Sequence, residues 1–190
     1  MKKVMVILGS VRAGRAGDNV LTKLKHELDT HKDIEWDYVD LKDLDLPFYD
    51  EAYTPNSIGA GTAEYTNPNG KAWADRVGAA DGFIFVTPEY DHGVPAVLKN
   101  AVDWVGREWF RKPASFVSYG AMSGGIRAVE QLRLNLLEVR MFPLHDAVHI
   151  PSVYNAFNED GDWKDENQQN AFAPMLTELK SFLKSYKYVA

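Results

Sequence analysis

The residues of this chain that could do chemistry are concentrated in the stretch GSVRAGRAGDN near the N-terminus. Ser10 offers a hydroxyl donor, while Arg12 and Arg15 offer planar guanidinium groups that suit phosphate. The stretch follows a short apolar run and precedes a helical pattern that begins near Asp18. A glycine loop between a strand and a helix start favours an anion, because loop and helix N–H groups point at it. The alternative is an ordinary turn with its arginines in solvent, and this stretch alone leaves both open.

Two well-known phosphate loops do not match this stretch. Gly9 and Gly14 have the spacing of a P-loop, but Arg15 and Ala16 stand where lysine and then serine or threonine are required. The dinucleotide fingerprint G-x-G-x-x-G is also absent. What remains is a loop that could hold a terminal monophosphate.

The elements that must position this loop alternate between strands and helices. Apolar runs at 4–8, 82–87, 114–119 and 147–150 predict buried strands, and the alternating run 34–39 predicts a half-covered one. Helical patterns separate these runs, which indicates βαβ units around a parallel sheet. With right-handed crossovers, the fold is predicted to be an α/β doubly wound sheet. A length of 190 residues predicts a single domain over 1–190.

Three loops follow buried strands, at 9–18, 88–93 and 120–125. In a doubly wound sheet ligands bind beyond the carboxyl ends of the strands, so these loops are predicted to meet at one edge. The first carries phosphate donors, the second carries Tyr90, and the third carries glycines that let a flat ring lie close to the backbone. Together they suit one planar, phosphorylated ligand.

Composition narrows the class of protein. Lys plus Arg is 21 and Asp plus Glu is 27, so the net charge of −6 argues against nucleic-acid and anionic-membrane partners. The absence of cysteine excludes disulfides and thiolate chemistry. The first apolar run is shorter than a signal-peptide core, and nothing approaches the ~18 apolar residues of a membrane span. We therefore expect a cytoplasmic protein.

Other candidate sites are weaker. His145 and His149 have a spacing that brings ligands together on a helix, whereas this stretch reads as a strand, so no metal site is predicted. Ser123 lies in G-x-x-S-G, which is not the G-x-S-x-G of a nucleophile elbow. No catalytic side chain is predicted.

Three further segments are described by their pattern alone. The irregular stretch 40–69 is either a lid or partner-contacting segment, or a mobile surface excursion. Trp104 and Trp109 belong either to the core or to a subunit interface. A final helical pattern begins near Phe172 and runs to about Tyr186.

The stretches GSVRAGRAGDNV, TPEYDHGVPAVLKNAVDW and SYGAMSGGIRAVEQLR resemble, in order, three motifs of the NADPH-dependent FMN reductase family. The resemblance extends from Lys3 to about Pro151, and its middle motif is long and specific. It implies a flavodoxin-like fold with a five-stranded parallel sheet in the order 2-1-3-4-5, helices on both faces and bound FMN. Members of this family include quinone, azo-dye and chromate reductases.

By position, the resemblance implies three groups of cofactor-binding residues. The phosphate would be surrounded by Ser10, Arg12, Arg15, Gly17 and Asn19. The isoalloxazine would be lined by Pro88, Glu89, Tyr90 and Asp91. The other side of the ring would be edged by Ser118, Tyr119, Gly120, Ser123 and Gly124.

The chain departs from the family pattern at two places. Many members have Ser-x-Asn where this chain has Arg15, Ala16 and Gly17, so arginine and backbone are expected to contribute more to phosphate binding. The usual asparagine after PEY is Asp91, whose carboxylate cannot donate a hydrogen bond to a flavin carbonyl. Glu89 is expected to order its loop.

The function that the resemblance implies is an FMN-dependent oxidoreductase. It would transfer hydride from NADPH or NADH through the flavin to a small acceptor such as a quinone, free flavin, an azo compound or a metal oxyanion. The resemblance also implies a homodimer or homotetramer. Arg127, which follows the second glycine-rich loop, is predicted from its position to make structural or subunit contacts. The alternatives are a flavodoxin-like electron carrier and a non-catalytic flavin-binding module.

Overall fold

One parallel sheet forms the centre of the molecule. The computed structural model describes residues 1–185. Its strands are β1 (Lys2–Leu8), β2 (Ile34–Asp40), β3 (Gly82–Pro88), β4 (Pro113–Tyr119) and β5 (Phe142–Ile150). Across the sheet the order is β2-β1-β3-β4-β5, and every pairing is parallel. The predicted doubly wound α/β fold and its strand order are confirmed.

The strand register aligns the carboxyl ends of the strands. Leu8 pairs with Asp40 of β2 on one side and with Val86 of β3 on the other, and Pro88 pairs with Tyr119 of β4. Strands β3 and β4 are buried along their whole length, because helices cover both of their faces. The loops that leave β1, β3 and β4 therefore start from the same edge, as the sequence predicts.

Helices connect the strands. They are α1 (Gly17–Leu28), α2 (Pro55–Gly59), α3 (Pro68–Ala79), α4 (Ala96–Asp103), α5 (Ile126–Glu138) and α6 (Glu166–Ser185). Asn67 caps α3, since its side chain accepts from the N–H groups of Asn69 and Gly70. The end of the last helix predicted near Tyr186 lies outside the described residues.

Two apolar cores lie on opposite faces of the sheet. Val4 and Val6 of β1 point to the face that α1 and α6 cover, whereas Met5 and Ile7 point to the face covered by α3, α4 and α5. This alternation follows from the two-residue period of a strand. Helices on both faces are thus confirmed, and they pack against the strands whose carboxyl ends carry the three loops.

The irregular segment 40–69 packs against the end of α4. The Trp104 indole N–H donates to the Pro47 carbonyl over 2.7 Å, and the Tyr49 ring meets the Trp104 ring edge-on at 4.9 Å. Trp104 and Trp109 are fully buried. Both tryptophans therefore belong to the core, and the segment is a packed flank of the α3–α4 layer.

Candidate functional site

A cleft of about 380 Å³ opens at the carboxyl ends of the central strands. The loops after β1, β3, β4 and β5 all contribute to its walls. Its lining residues are Arg12, Arg15, Ala16, Pro88, Glu89, Tyr90, Tyr119, Gly120, Ala121, Met122, Ser152, Val153, Tyr154 and Asn155. The three loops that the sequence predicted to meet therefore do so around one cleft.

The first wall is the loop that joins β1 to α1. The Gly9 N–H donates to the Val86 carbonyl over 2.8 Å, which fixes the start of the loop to β3. Ala16 precedes α1, and its side chain offers no capping hydrogen bond to the helix. The N–H groups of the first turn of α1 are therefore left without a side-chain cap, at the positive end of a twelve-residue helix.

Three hydroxyl groups, those of Ser10, Tyr90 and Tyr119, lie at the base of the first loop. The Ser10 hydroxyl is buried and lies 2.7 Å from the Tyr90 hydroxyl, joining the first loop to the second. Tyr119 is 3% exposed, and its hydroxyl has no hydrogen-bond partner among the described residues. Burial raises the pKa of Tyr119, so the phenol stays protonated and can donate at neutral pH.

The Tyr119 side chain explains why the first residue of α1 is glycine. A Cβ at Gly17 would lie 2.3 Å from the Tyr119 hydroxyl oxygen and 2.8 Å from a methyl carbon of Leu8. Gly17 thus allows the helix N-terminus to approach the phenol. The hydroxyl without a partner lies beside the uncapped helix end, and together they form a pocket of donors that suits an anion.

The two arginines of the first loop have different surroundings. Arg12 is exposed at the rim, and its guanidinium donates to the Tyr154 hydroxyl over 2.7 Å. Arg15 is directed away from solvent and forms a two-point ion pair with Asp40 at the end of β2. Both line the cleft. The described contacts of Arg12 are all with neutral oxygen atoms, whereas those of Arg15 include two carboxylates.

The second wall is a tight turn after β3. Tyr90 and Gly93 exchange two backbone hydrogen bonds of 3.1 and 2.8 Å, and the central residues Asp91 and His92 have φ of 48° and 64°. Such a turn needs two left-handed residues, a conformation that aspartate and asparagine tolerate better than most. The departure from asparagine to Asp91 therefore preserves the turn.

Glu89 connects the second wall to the third. Its carboxylate accepts from the Ser123 hydroxyl at 3.2 Å and from the Arg127 backbone N–H at 3.1 Å, and it pairs with the Arg127 guanidinium at 2.6 Å. Burial opposes its ionisation, but these hydrogen bonds outweigh burial and lower the pKa of Glu89. Glu89 is predicted to order its own loop, and the structure shows that it also fixes the neighbouring glycine loop, with Arg127 in a structural role within the subunit.

The third wall is the glycine loop after β4. Gly124 and Gly125 have positive φ, and a Cβ at Gly125 would lie 2.9 Å from the Tyr119 backbone nitrogen. The Ser118 hydroxyl is buried beneath the loop, where it donates to the Gly124 carbonyl over 2.7 Å. Because a hydroxyl has one proton, the 2.7 Å contact with His149 makes the imidazole Nδ1 the donor.

The predicted site residues divide into two groups. Lining the cleft are Arg12, Arg15, Pro88, Glu89, Tyr90, Tyr119 and Gly120. Behind that surface lie Ser10, Gly17, Ser118, Ser123 and Gly124, which hold its walls through the contacts given above. Asp91 belongs to neither group, because it is exposed in the turn after β3. Asn19 lines a different cavity, between α1 and residues 157–162. Their role in cofactor binding stays a prediction.

Sequence reasoning missed one wall of the cleft. Residues 152–155 follow β5 and line the cleft, and Tyr154 is 74% exposed there. The segment is fixed to the glycine loop, since the Val153 N–H donates to the Gly120 carbonyl over 3.1 Å. A signal was available, because β5 is parallel and its carboxyl end must reach the same edge as the other strands.

A cleft lined by anion donors, backbone and aromatic side chains, at the carboxyl edge of a 2-1-3-4-5 parallel sheet, is typical of a flavodoxin-like flavoprotein. The donors fit a phosphate, and the glycine loop leaves room for a flat ring beside the backbone.

Known proteins define the family. The profile of the NADPH-dependent FMN reductase family matches residues 2–155. An NAD(P)H-dependent FMN reductase of Schizosaccharomyces pombe is 37% identical over 150 residues, which cover 78% of this chain and 74% of the relative. A 2-hydroxy-1,4-benzoquinone reductase of a Burkholderia species is 30% identical over 175 residues, covering 83% and 87%.

A solved structure agrees on the fold. The flavoenzyme NAD(P)H:(acceptor) oxidoreductase FerB of Paracoccus denitrificans superposes with a TM-score of 0.71 at 24% identity, covering 97% of this chain and 96% of FerB. The chain belongs to the NADPH-dependent FMN reductase family. It is an oxidoreductase that uses FMN and NAD(P)H.

Proposed function

We propose that the cleft binds the FMN of this enzyme and that a small quinone is its electron acceptor. One observation carries the placement of the cofactor. Loops carrying all three family motifs line a single cleft, and its floor holds the buried Tyr119 hydroxyl, which has no partner among the described residues. A donor buried without an acceptor is costly, and because this oxygen is shielded from solvent, a phosphate at the adjacent helix start would satisfy it after a small shift of the first loop.

The lining of the cleft suits both parts of FMN. We assign the uncapped N-terminus of α1 and the Arg12 guanidinium to the phosphate, with the Ser10 and Tyr119 hydroxyls beside the helix start. We assign Pro88 and Gly120, which present surfaces without bulky side chains, to the flat ring, together with the Tyr90 side chain. These residues would bind and orient the cofactor, while bound FMN supplies the two-electron chemistry between NAD(P)H and the acceptor.

The mouth of the cleft favours a planar, apolar acceptor. Met122 is 95% exposed and Tyr154 is 74% exposed at its rim. A thioether and an aromatic ring offer dispersion contacts to a quinone ring, and we assign the Arg12 charge at the same rim to the FMN phosphate. The Burkholderia relative, whose name identifies it as a benzoquinone reductase, points to the same class of acceptor.

Three measurements test this proposal. In the first, the apo-protein is titrated with FMN and with riboflavin. In the second, NADPH or NADH is added to the FMN-loaded protein without oxygen, and the flavin absorbance is followed. Turnover is compared among menadione, free FMN, an azo dye and chromate. We expect FMN to bind more tightly than riboflavin, the flavin band to bleach, and menadione to be reduced fastest.

A pair of charge variants locates the phosphate. Arg12→Gln removes a cation at the cleft, whereas Lys23→Gln removes one from α1 at the separate cavity beside residues 157–162. Arg12→Gln is expected to weaken FMN binding and to leave riboflavin binding unchanged, and Lys23→Gln is expected to alter neither. If both variants changed FMN affinity equally, the phosphate would bind elsewhere.

The acceptor comparison separates an enzyme from an electron carrier. A flavin that bleaches without turnover of any small acceptor would indicate a carrier.

Assembly and location stay predictions. The outer face of α5 exposes Leu134 and Leu137, and we propose that this face joins two copies in the homodimer or homotetramer that the family resemblance implies. Sedimentation of the wild type and of Leu134→Glu tests this interface: the variant should be monomeric, and a wild-type monomer would contradict the proposal.

The location of the protein in the cell also stays a prediction. No helix within residues 1–185 combines the length and apolar character needed to cross a bilayer.

A further inference from the structure

Arg15 has its donors occupied by the protein itself. Its side chain is 7% exposed. Its Nη1 atom donates to Asp40 Oδ1 over 2.8 Å and also to the Ser10 carbonyl, and its Nη2 atom pairs with the second oxygen of Asp40. The Nε atom donates to Asp18 over 2.8 Å, with Nη2 at 2.7 Å from the same oxygen. A guanidinium has five N–H donors, and these contacts take up its three nitrogens.

Arg12 has the opposite surroundings. Its described partners are the carbonyls of Ala13 and Gly14 at 3.3 Å and the Tyr154 hydroxyl at 2.7 Å. All three are neutral, so the charge of Arg12 is not compensated by any described contact. A phosphate at the cleft would replace a neutral partner of Arg12, but it would have to displace two carboxylates from Arg15.

Asp40 fixes Arg15 from a distant part of the chain. It ends β2, pairs with Leu8 across the sheet, and accepts from the Lys42 backbone N–H over 2.9 Å. The contact of Arg15 with the Ser10 carbonyl therefore links the first loop to the edge of the sheet through a rigid carboxylate. Arg15 also neutralises two carboxylates that would otherwise repel an anion bound beside them.

We propose that Arg15 and Asp40 form a clamp that holds the first loop in its phosphate-binding shape, and that Arg15 is a positioning residue which does not itself bind the phosphate. This inference rests on the proposed binding of FMN in the cleft. Asp40, which lies outside the three family motifs, thereby gains a role in cofactor affinity.

The variant Asp40→Asn separates a clamp from a phosphate ligand. If Arg15 bound phosphate, removing its competing carboxylate would leave FMN affinity unchanged or increase it. If Arg15 and Asp40 form a clamp, removing that carboxylate lowers FMN affinity. Asp40→Asn should weaken FMN binding about tenfold, the scale of one charge-assisted contact. Arg15→Gln should weaken it at least as much, because it also removes the contact with the Ser10 carbonyl and leaves Asp18 and Asp40 without their cation. The double variant should weaken FMN binding no further than Arg15→Gln, because both single changes break the same pair.

Two controls accompany this comparison. Riboflavin lacks the phosphate, so its affinity should change far less than that of FMN in both variants. Arg15→Lys keeps the charge but cannot make the two-point contact, and it should not restore FMN affinity. Full recovery by Arg15→Lys, or tighter FMN binding by Asp40→Asn, would overturn the clamp.

A readout without flavin separates this inference from the proposed function. Amide hydrogen exchange of residues 11–14 in the apo-protein should speed up in both Arg15→Gln and Asp40→Asn, and should not change in Lys23→Gln. If the wild type binds no FMN, the proposed function fails, whereas the exchange rates still show whether the clamp holds the loop. Unchanged exchange in both clamp variants would refute the clamp.

Discussion

Gly17 is the residue at which the helix start meets the floor of the cleft. Gly17→Ala would put a Cβ against the Tyr119 hydroxyl and Leu8, at 2.3 and 2.8 Å. We expect a loss of about 1–3 kcal/mol in the free energy of unfolding, measured by urea denaturation of the apo-protein. In a Tyr119→Phe background the loss should shrink, because the nearest atom is gone.

Gly78 provides the matched control for this substitution. It also lies in a helix, and a Cβ there would meet only Glu108 carbon atoms at 3.6 Å or more. Gly78→Ala should therefore stabilise the protein by up to about 1 kcal/mol, through helix propensity alone. If both alanine variants changed stability equally, close packing at Gly17 would not be the reason for its glycine.

The charged Glu89 side chain holds the glycine loop after β4 in place through its contacts with Ser123 and Arg127. Glu89→Gln weakens the contacts with Ser123 and Arg127, and we expect a loss of about 1–2 kcal/mol in the free energy of unfolding. Lys99→Gln breaks an exposed pair with Asp103 and should cost less than about 0.5 kcal/mol. Urea denaturation of both variants checks this, and equal losses would contradict a supporting role for Glu89.

At the scale of elements, the turn between β3 and α4 depends on two left-handed residues. His92 has φ of 64° and an exposed side chain, so its conformation costs free energy that glycine would not lose. His92→Gly should stabilise the protein by about 0.5–1 kcal/mol relative to His92→Ala, because alanine bears the same backbone cost as histidine. Thermal unfolding of the pair measures the difference; an alanine variant as stable as the glycine variant would refute it.

The elements around the cleft were partly predictable. Sequence patterns located the strands and the three loops, because apolar runs and helical spacing are local signals. They did not identify residues 152–155 as a wall, since the hydrogen bonds that join them to Gly120 and Ala121 link separate parts of the chain. The pattern of 40–69 likewise left a lid and a surface excursion open, and the contact of Pro47 with Trp104 showed a packed flank.

At the scale of the whole molecule, paired carboxylates set the acid limit of stability. The hydrogen bond from Arg76 lowers the pKa of Asp37. At Asp40, Asp81 and Glu89 burial opposes ionisation, but hydrogen bonds from cations and N–H groups outweigh it and lower the pKa. Each of these groups therefore binds a proton more weakly in the folded chain than in the unfolded one.

The sign of the pH dependence follows from these shifts. A carboxyl with a lowered pKa stabilises the fold above its ordinary value of about 4, and this contribution is lost as pH falls through the folded pKa. Burial, and then Arg133, lower the pKa of His149, which adds a smaller loss as pH falls below about 6.5. The urea midpoint should decline from pH 7 to 5 and fall steeply below about 4.5. A midpoint at pH 3.5 that equals the one at pH 6 would contradict this.

The amino-acid sequence by itself determined the doubly wound parallel sheet and the meeting of three loops at one edge, because apolar periodicity is local and crossover handedness is general. The strand order came from the resemblance of three motifs to a known family. Only the tertiary structure decided that Arg15 faces Asp40 while Arg12 faces the cleft, and that the Tyr119 hydroxyl lies beneath Gly17. Those outcomes depend on which side chains from distant segments come within hydrogen-bonding distance, and spacing along the chain carries no record of that.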